Sequence, residues 1–355
     1  MNETKKTGYI QEVGTVRAIA CLSIVLLHSI HFTVGFGMER GSNLLDYVLL
    51  TTAGILSFGT PVFVFISELL LSRSYPDRLP RTFYKKRVLL ILLPFVCMAF
   101  FYAFLSHYDD PQRLPRVILM NLLGGYHGWF VLVIFQFYIF HHLFNRFLSR
   151  MPARILLPIA LAVNVAYLAF FNLTSPPSGN GAVLFLWDRG YWVPFLGWVF
   201  YFCLAYYCGR RYGEFLALLR KYQSWILPLV AVSVALVVWV NSLGILPFVS
   251  KRLDMIPLSA GLIFLLFRFA SRWKSRPGWI ALIDRCSFGI YLIHYFYLIV
   301  YSEVLNALAD IGYWEIPVLF AAGLLSSIAT VLLANKLRFG KYLLGRSGKK
   351  IAYGG

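Results

Sequence analysis

The sequence has 355 residues, of which 59% are apolar and 14% charged, with a formal net charge of +18. This composition lies outside that of ordinary soluble domains and is typical of integral membrane proteins. The positive charge would also suit a nucleic-acid-binding protein, but the cations follow a topological pattern between apolar segments, which argues against nucleic acid as a partner.

Apolar segments long enough to cross a hydrocarbon layer of about 30 Å recur along the whole chain. No polar stretch between them is long enough to fold by itself. The sequence therefore predicts an all-α integral membrane protein, a single domain over residues 1–355 built as a bundle of about ten transmembrane helices. The predicted spans are 14–35, 48–71, 88–106, 125–145, 154–172, 191–208, 224–243, 256–271, 280–302 and 316–336.

Basic residues are distributed unevenly between the segments that connect the predicted spans. With the amino terminus in the cytoplasm, all but six of the 33 Lys and Arg residues fall on the cytoplasmic side. This pattern follows the positive-inside rule, so we expect both termini, including the tail 337–355, to be cytoplasmic. The six exceptions are Arg40, Arg113, Arg116, Arg189, Lys251 and Arg252.

The first span carries a cation near its start and two histidines toward its end. Arg17 and His28 are eleven residues apart, which places them on one helix face about 16 Å apart along the axis. His31 falls on a neighbouring strip of that face. Arg17 by itself could simply reach the inner headgroups. A histidine as deep as His28 more often lines a functional pathway, so we expect His28 to be functional.

The second span, within FGTPVFVFISELLLSRSY, is interrupted by Ser67 and Glu68 before its inner end. The basic loop that follows would suit a polyphosphate, although the positive-inside rule alone explains most of its cations. Arg87, at the start of the third span, is the best candidate for a ligand-binding cation. Glu68 could be the counter-ion of Arg87 or part of the site. The basic residues here are Arg73, Arg78, Arg81, Lys85, Lys86 and Arg87.

Two later segments carry further polar residues. His127 and Trp129 lie at the predicted outer rim of the fourth span, and His294 lies in the ninth span at nearly the depth of His28. Trp129 alone would be an interface anchor, and His294 alone would be a hydrogen-bonded structural residue. Two histidines at matched depth on different helices instead indicate a shared polar site.

Together these motifs resemble the membrane-bound acyltransferase type 3 family over essentially the whole chain. The family's basic residue, ten-residue gap and histidine in helix one are matched by Arg17 and His28. Its later motifs resemble HGWF at 127–130 with QFY at 136–138, and SFGIYLIH at 287–294. Glu68 departs from the family pattern, which has glycine there, as do Ile134 and Phe135, which replace glutamates. A carboxylate role for those glutamates therefore does not carry over.

Within the family, FGTPVFVFISELL and NLLGGYHGWFVLVIFQFYI are most similar to the IcaC-type poly-N-acetylglucosamine modification proteins of Gram-positive bacteria. The resemblance implies a multi-pass protein of the bacterial plasma membrane. It would move a succinyl or acetyl group from cytosolic acyl-CoA to hydroxyls of an extracellular polysaccharide such as poly-N-acetylglucosamine. Acyl-CoA would be a cosubstrate, without a permanently bound cofactor, and a polysaccharide synthase complex is a further candidate partner. The competing hypothesis is an exporter or flippase for a polysaccharide or lipid-linked sugar.

The inferred site is a polar passage from an inward cationic mouth to an imidazole in the outer half of the membrane. The catalytic candidates are His28 and Arg17, with His28 acting as a base toward the sugar hydroxyl or as a transiently acylated nucleophile. The donor-binding candidates are Arg17, Arg87, Lys86, Lys85, Arg73, Ser67 and Glu68. The acceptor-binding candidates are His127, Trp129, His294, Tyr291 and His31. No metal site is expected.

Overall fold

The chain folds in a computed structural model into a bundle of α-helices, described for residues 10–35, 43–273, 275–308 and 310–348. Arg40 and both chain termini, for which the sequence predicts a side of the membrane, lie outside the described residues. The helices are α1 (Gln11–Val34), α2 (Leu44–Leu56), α3 (Gly59–Ser74), α4 (Phe83–Arg87), α5 (Leu93–His107), α6 (Leu114–Leu122), α7 (Phe130–Arg150), α8 (Ala153–Leu173), α9 (Gly181–Trp192), α10 (Val199–Arg210), α11 (Tyr212–Lys221), α12 (Gln223–Ser242), α13 (Met255–Ala270), α14 (Gly278–Leu308), α15 (Glu315–Ala334) and α16 (Gly340–Leu343).

Within the described residues, nine helical spans are long and apolar enough to cross a membrane. Each contains one of the predicted segments to within two residues at either end, so the all-helical membrane fold is confirmed. The remaining predicted segment, 256–271, forms α13, which has only 16 residues and falls short of that length. Some spans comprise two helices. One example is α2 with α3, where the helix is interrupted between Leu56 and Gly59.

Successive spans alternate in direction, so their connections collect at two ends of the bundle. The basic end contains the start of α1, the end of α3 and the start of α14, with Arg17, Arg87, Arg210 and Arg276. At the far end, Tyr313 donates a hydrogen bond to Asp46 (2.8 Å) and joins the start of α15 to α2. The described cations that were predicted outside the cytoplasm follow the far ends of α5, α8 and α12 in the chain: Arg113, Arg116, Arg189, Lys251 and Arg252.

Prolines set the irregular points of two spans. Pro61 has no N–H to donate to the carbonyl of Ser57, and the second span breaks between α2 and α3 at that turn. Pro94 likewise cannot bond the carbonyl of Leu90. The preceding turn, Val88–Leu92, widens into a π-helix in which the Leu93 N–H donates to the Val88 carbonyl.

Helix α3 is largely buried, and glycines allow its neighbours to approach closely. A Cβ added at Gly59 would lie 2.9 Å from the Ala20 carbonyl oxygen of α1 and 2.7 Å from Ser23 Oγ. A Cβ at Gly209 of α10 would lie 2.5 Å from the Leu69 carbonyl oxygen of α3. Small residues at such contacts bring helix backbones together in membranes. Helices α1 and α10 therefore pack directly on α3.

Two of the far-end cations are buried rather than exposed. Arg252 is 1% exposed and forms a two-point ion pair with Asp254, at 3.0 and 2.5 Å. Lys251 donates to the Tyr191 carbonyl and lies over the Trp198 ring, 5.1 Å from its centroid. Burial lowers the pKa of Lys251 well below its usual value. These residues fix the α12–α13 connection to α9.

Substitution of Gly59 by valine should separate α1 from α3, because the new side chain has no space beside Ala20 and Ser23. Overpacking of this kind costs about 1–3 kcal/mol. We expect a lower unfolding temperature of the purified protein in detergent. Gly213→Val, in α11, is the matched control, since a Cβ there would meet nothing within 4 Å. Equal loss of stability in both variants would contradict this view of the α1–α3 contact.

Candidate active site

A cavity of about 760 Å³ lies at the basic end, between α1, α3, α7 and α14. Its wall includes the π-helical turn through Leu90 and Ile91, and the apolar side chains Phe63, Phe130 and Ile134. Guanidinium groups come from five separate places in the sequence. The lining arginines are Arg17, Arg87, Arg276, Arg285 and Arg346. This combination suits a ligand with several negative charges and an apolar portion.

One carboxylate organises two of these arginines. Asp284 Oδ1 accepts from Arg17 Nη1 at 2.9 Å, and Asp284 Oδ2 accepts from Arg276 Nη1 at 2.8 Å. The side chains of Asp284 and Arg276 are 4% and 2% exposed, whereas that of Arg17 is 27% exposed. Charge-assisted bonds in such a buried place fix the orientation of both guanidinium groups. Five cations share a single acid on the cavity wall, so the cavity retains an excess of positive charge.

The segment Leu344–Gly348, here called the carboxyl strap, returns to the bundle after the last span. Asn335 binds it twice, donating to the Gly345 carbonyl (3.2 Å) and accepting from the Ser347 N–H (2.9 Å). Arg285 and Gly348 exchange two further hydrogen bonds of 3.1 Å each. Gly345 has φ +74°, and a Cβ there would meet the Phe288 ring. The strap thereby holds Arg346 at the cavity wall.

The predicted donor-binding residues separate into two groups. Arg17, Arg87 and Ser67 line the cavity. Arg73 instead lies over the Tyr212 ring, 4.7 Å from its centroid. Lys85 and Lys86 are exposed and are not part of the cavity wall.

Glu68 lies on another side of α3, away from the cavity wall. Its Oε1 is 2.8 Å from His141 Nδ1, and both side chains are 1% exposed. Sequence reasoning left open a pairing of Glu68 with Arg87, and the structure pairs it with His141 of α7. His141 escaped notice because its partner is 73 residues away in the chain.

Four histidines meet deeper in the bundle and form what we call the histidine cluster: His28, His31, His127 and His294. The His28 ring centroid is 5.3 Å from that of His294 and 6.3 Å from that of His31. His127 lies 5.6 Å from His294 and stacks on Tyr295 at 5.0 Å. The side chain of His28 therefore faces other polar rings inside the bundle.

Backbone carbonyls fix the tautomer of His294. Its Nδ1 is 2.9 Å from the Ile290 oxygen and 3.0 Å from the Tyr291 oxygen. Both oxygens can only accept, so Nδ1 carries the proton, and Nε2 of the neutral ring has a lone pair. Within the described residues, neither His294 Nε2 nor His28 Nδ1 has a hydrogen-bond partner. Two neighbouring imidazoles thus retain nitrogens that can exchange a proton with a ligand.

Tyr291 connects the cavity to the histidine cluster. It lines the cavity, and its hydroxyl donates to the His127 carbonyl at 2.6 Å. His28 itself is not among the residues that line the cavity. Among the described residues, the polar passage expected from the sequence corresponds to a cavity and a histidine cluster that meet at Tyr291.

Trp129 lies apart from the histidine rings. It packs against Trp192 at 5.0 Å and Trp198 at 6.0 Å. Gln136, also in the fourth span, donates to the Val193 carbonyl (2.9 Å) and accepts from the Phe195 N–H (3.0 Å). Gln136 therefore supports the chain break between α9 and α10.

Comparison with known proteins identifies the kind of chemistry. A family model described as "Acyltransferase domain" matches residues 10–336. The chain belongs to the acyltransferase 3 family. It is 37% identical over 348 residues to "Putative membrane-bound acyltransferase YfiQ" of Bacillus subtilis (strain 168), covering 95% of this chain and 94% of the relative. The protein is therefore a multi-pass membrane acyltransferase.

More distant relatives include two staphylococcal proteins, each named "Probable poly-beta-1,6-N-acetyl-D-glucosamine export protein". The Staphylococcus aureus (strain MSSA476) protein is 25% identical over 347 residues, covering 96% of this chain and 97% of the relative. The Staphylococcus epidermidis protein is 24% identical over 349 residues, covering 96% of each. The sequence motifs predicted the greatest similarity to the IcaC-type proteins. Over the whole chain, however, the acyltransferase is more similar to YfiQ. No solved structure matches the chain.

Replacing Asp284 with alanine should lower acyl transfer about 10- to 100-fold. The substitution removes hydrogen bonds to two charged groups, each worth about 1.5–3 kcal/mol, and so frees Arg17 and Arg276 from their fixed orientation. The rate should be measured per folded protein in membranes. Asp110→Ala is the control, because the Arg113–Asp110 pair is largely exposed. Equal rates in the two variants would exclude Asp284 from the site.

Proposed function

We propose that this acyltransferase moves a succinyl or acetyl group from acyl-CoA to hydroxyls of an extracellular polysaccharide such as poly-N-acetylglucosamine. The main support is the juxtaposition of a five-arginine cavity with the histidine cluster across Tyr291. The cavity offers cations for phosphates and an apolar wall for a thin acyl-bearing arm. The cluster offers groups that can exchange protons.

The donor is proposed to enter at the basic end, which we place on the cytosolic side by the positive-inside rule. Acyl-CoA carries several phosphate charges, and guanidinium groups bind phosphate oxygens through two parallel hydrogen bonds. Arg17, at 27% exposure, can still offer donors while it is paired with Asp284. The pantetheine arm would then lie along Phe63, Phe130 and Ile134 toward Tyr291.

His28 is proposed as the group that acts on the reacting atoms. As a base, it would take the proton of the sugar hydroxyl while the oxygen attacks the thioester carbonyl. The C–S bond would then break, and the thiolate of CoA would receive a proton. As a nucleophile, His28 would carry the acyl group before the sugar oxygen displaces it. His294, whose ring centroid is 5.3 Å from that of His28, would take or return the proton in either route.

The acceptor is proposed to approach the histidine cluster from the far end. His31, His127 and Tyr291 surround this approach with groups that can hydrogen-bond sugar hydroxyls. Trp129, packed on Trp192 and Trp198, offers an aromatic surface nearby rather than a direct contact with the cluster. A synthase that supplies the polysaccharide would be a partner at this end.

Export of the polysaccharide is the second candidate, because the staphylococcal relatives bear that name. Transport would require a path wide enough for a sugar chain through the bundle. Both cavities described for this bundle are at the basic end, and His28 does not line the first of them. Acyl transfer also uses the buried histidines directly, as proton-exchanging groups beside the arginine-lined cavity.

His28→Ala should reduce acceptor-dependent release of CoA thiol by at least about 100-fold, since general acid–base or nucleophilic groups commonly contribute that much. Purified protein, acyl-CoA and a poly-N-acetylglucosamine oligomer would be assayed with a thiol reagent. His107→Ala is the control, because His107 bonds Ser106 outside the histidine cluster. Unchanged release in the His28 variant would overturn its catalytic role. Glycan movement into proteoliposomes without CoA consumption would instead establish export.

Arg346→Gln should raise the KM for acyl-CoA about tenfold and leave kcat within about twofold. Loss of one charge-assisted contact made equally in the ground and transition states has this effect. Steady-state kinetics at saturating acceptor would measure both constants. Arg338→Gln is the control, because Arg338 lies over the Phe339 ring and does not line the cavity. The same KM in both variants would show that the carboxyl strap is not part of the donor site.

A further inference from the structure

A second cavity, of about 690 Å³, lies at the basic end on another side of the bundle. It is formed by the start of α8, the end of α10, and helices α11, α12 and α13. It shares no lining residue with the candidate active site, and the proposed reaction gives it no role. Its deeper wall is apolar and consists of Leu157, Leu204, Phe215, Leu219, Ile226 and Phe264.

The rim of this cavity is cationic. Arg154, Arg210 and Arg211 line it, with Glu214 as the acid among them. Arg211 and Glu214 form a loose pair at 3.5 Å, and both side chains are more than two-thirds exposed. In the described part of the chain, no carboxylate lies within ion-pair distance of Arg154 or Arg210. The rim therefore carries an excess of positive charge beside a largely apolar wall.

Helix α11 indicates that the rim lies at the depth of lipid headgroups. Tyr212, Phe215 and Leu219 are buried along one of its faces, whereas Arg220 and Lys221 are exposed. A short helix of this pattern lies in the membrane interface with its apolar face inward. The adjoining start of α12 exposes Tyr222 (48%) and Trp225 (72%), the aromatic residues that favour the same depth.

We propose that this cavity binds one anionic glycerophospholipid, such as phosphatidylglycerol. Its phosphate lies between Arg154 and Arg211, and its acyl chains cover the apolar floor. A basic pocket between membrane helices, at headgroup depth, has the chemistry that binds anionic headgroups. Bound lipid would join α8, α10 and α12 where the described protein leaves space between them.

Native mass spectrometry of the full chain in detergent tests the proposal, with phosphatidylglycerol, phosphatidylcholine and glycerol 3-phosphate as probes. We expect one retained phosphatidylglycerol and no retained phosphatidylcholine. Arg154→Gln/Arg211→Gln should weaken phosphatidylglycerol binding about thirtyfold, the loss expected for two cations at the membrane surface. Arg150→Gln is the control, because Arg150 is exposed nearby and does not line the cavity.

Equal retention of both lipids, or unchanged affinity in the double variant, would overturn the proposal. Retention of glycerol 3-phosphate as tightly as the lipid would overturn it too, since the floor would then contribute nothing. Thermal unfolding without added lipid confirms that the variant folds, and the single variant Arg154→Gln replaces it if it does not. Acyl transfer is not the readout, so the result is independent of the proposed reaction.

Discussion

The ion pair between Arg17 and Asp284 sets the register between α1 and α14, and the site depends on that register. Both helices start at the basic end and run in the same direction. His28 follows Arg17 by eleven residues, and His294 follows Asp284 by ten. At 1.5 Å per residue, both histidines lie about 15–16 Å beyond the ion pair. Their ring centroids are consequently 5.3 Å apart.

Helices α1 and α14 therefore each contribute residues to both the cavity and the histidine cluster. Helix α14, with 31 residues, contributes Asp284 at the cavity, Tyr291 at the boundary and His294 in the histidine cluster. The remaining elements add Arg87 and Arg346 to the cavity and His127 to the histidine cluster, and they hold these two helices in place. Helix α3 does so through Gly59, which lets α1 approach its backbone. The π-helical turn before Pro94 places Leu90 and Ile91 on the opposite wall.

Sequence reasoning found the features that depend on local periodicity. Apolar length located the spans, and helical rise gave the matched depth of His28 and His294. Features that depend on distant partners were not accessible. Asp284 is 267 residues from Arg17, and Glu68 is 73 residues from His141. The positive-inside rule already accounted for Arg276, Arg285 and Arg346, so no ligand-binding role was predicted for them. Only folding shows which basic residues turn toward a cavity.

The two cavities at the basic end differ in what lies beneath their cations. Beneath the first, Asp284 holds two guanidinium groups in fixed positions. Tyr291 adjoins the histidine cluster, where His28 Nδ1 and His294 Nε2 have no hydrogen-bond partner among the described residues. Fixed guanidinium groups can bind the charged part of a ligand while its reactive part extends toward the histidine cluster. Beneath the second, the described wall is largely apolar and includes Leu204, Ile226 and Phe264. A ligand held there would meet a largely apolar wall, so the roles proposed for the two cation-rich cavities differ: acyl transfer at the first and lipid binding at the second.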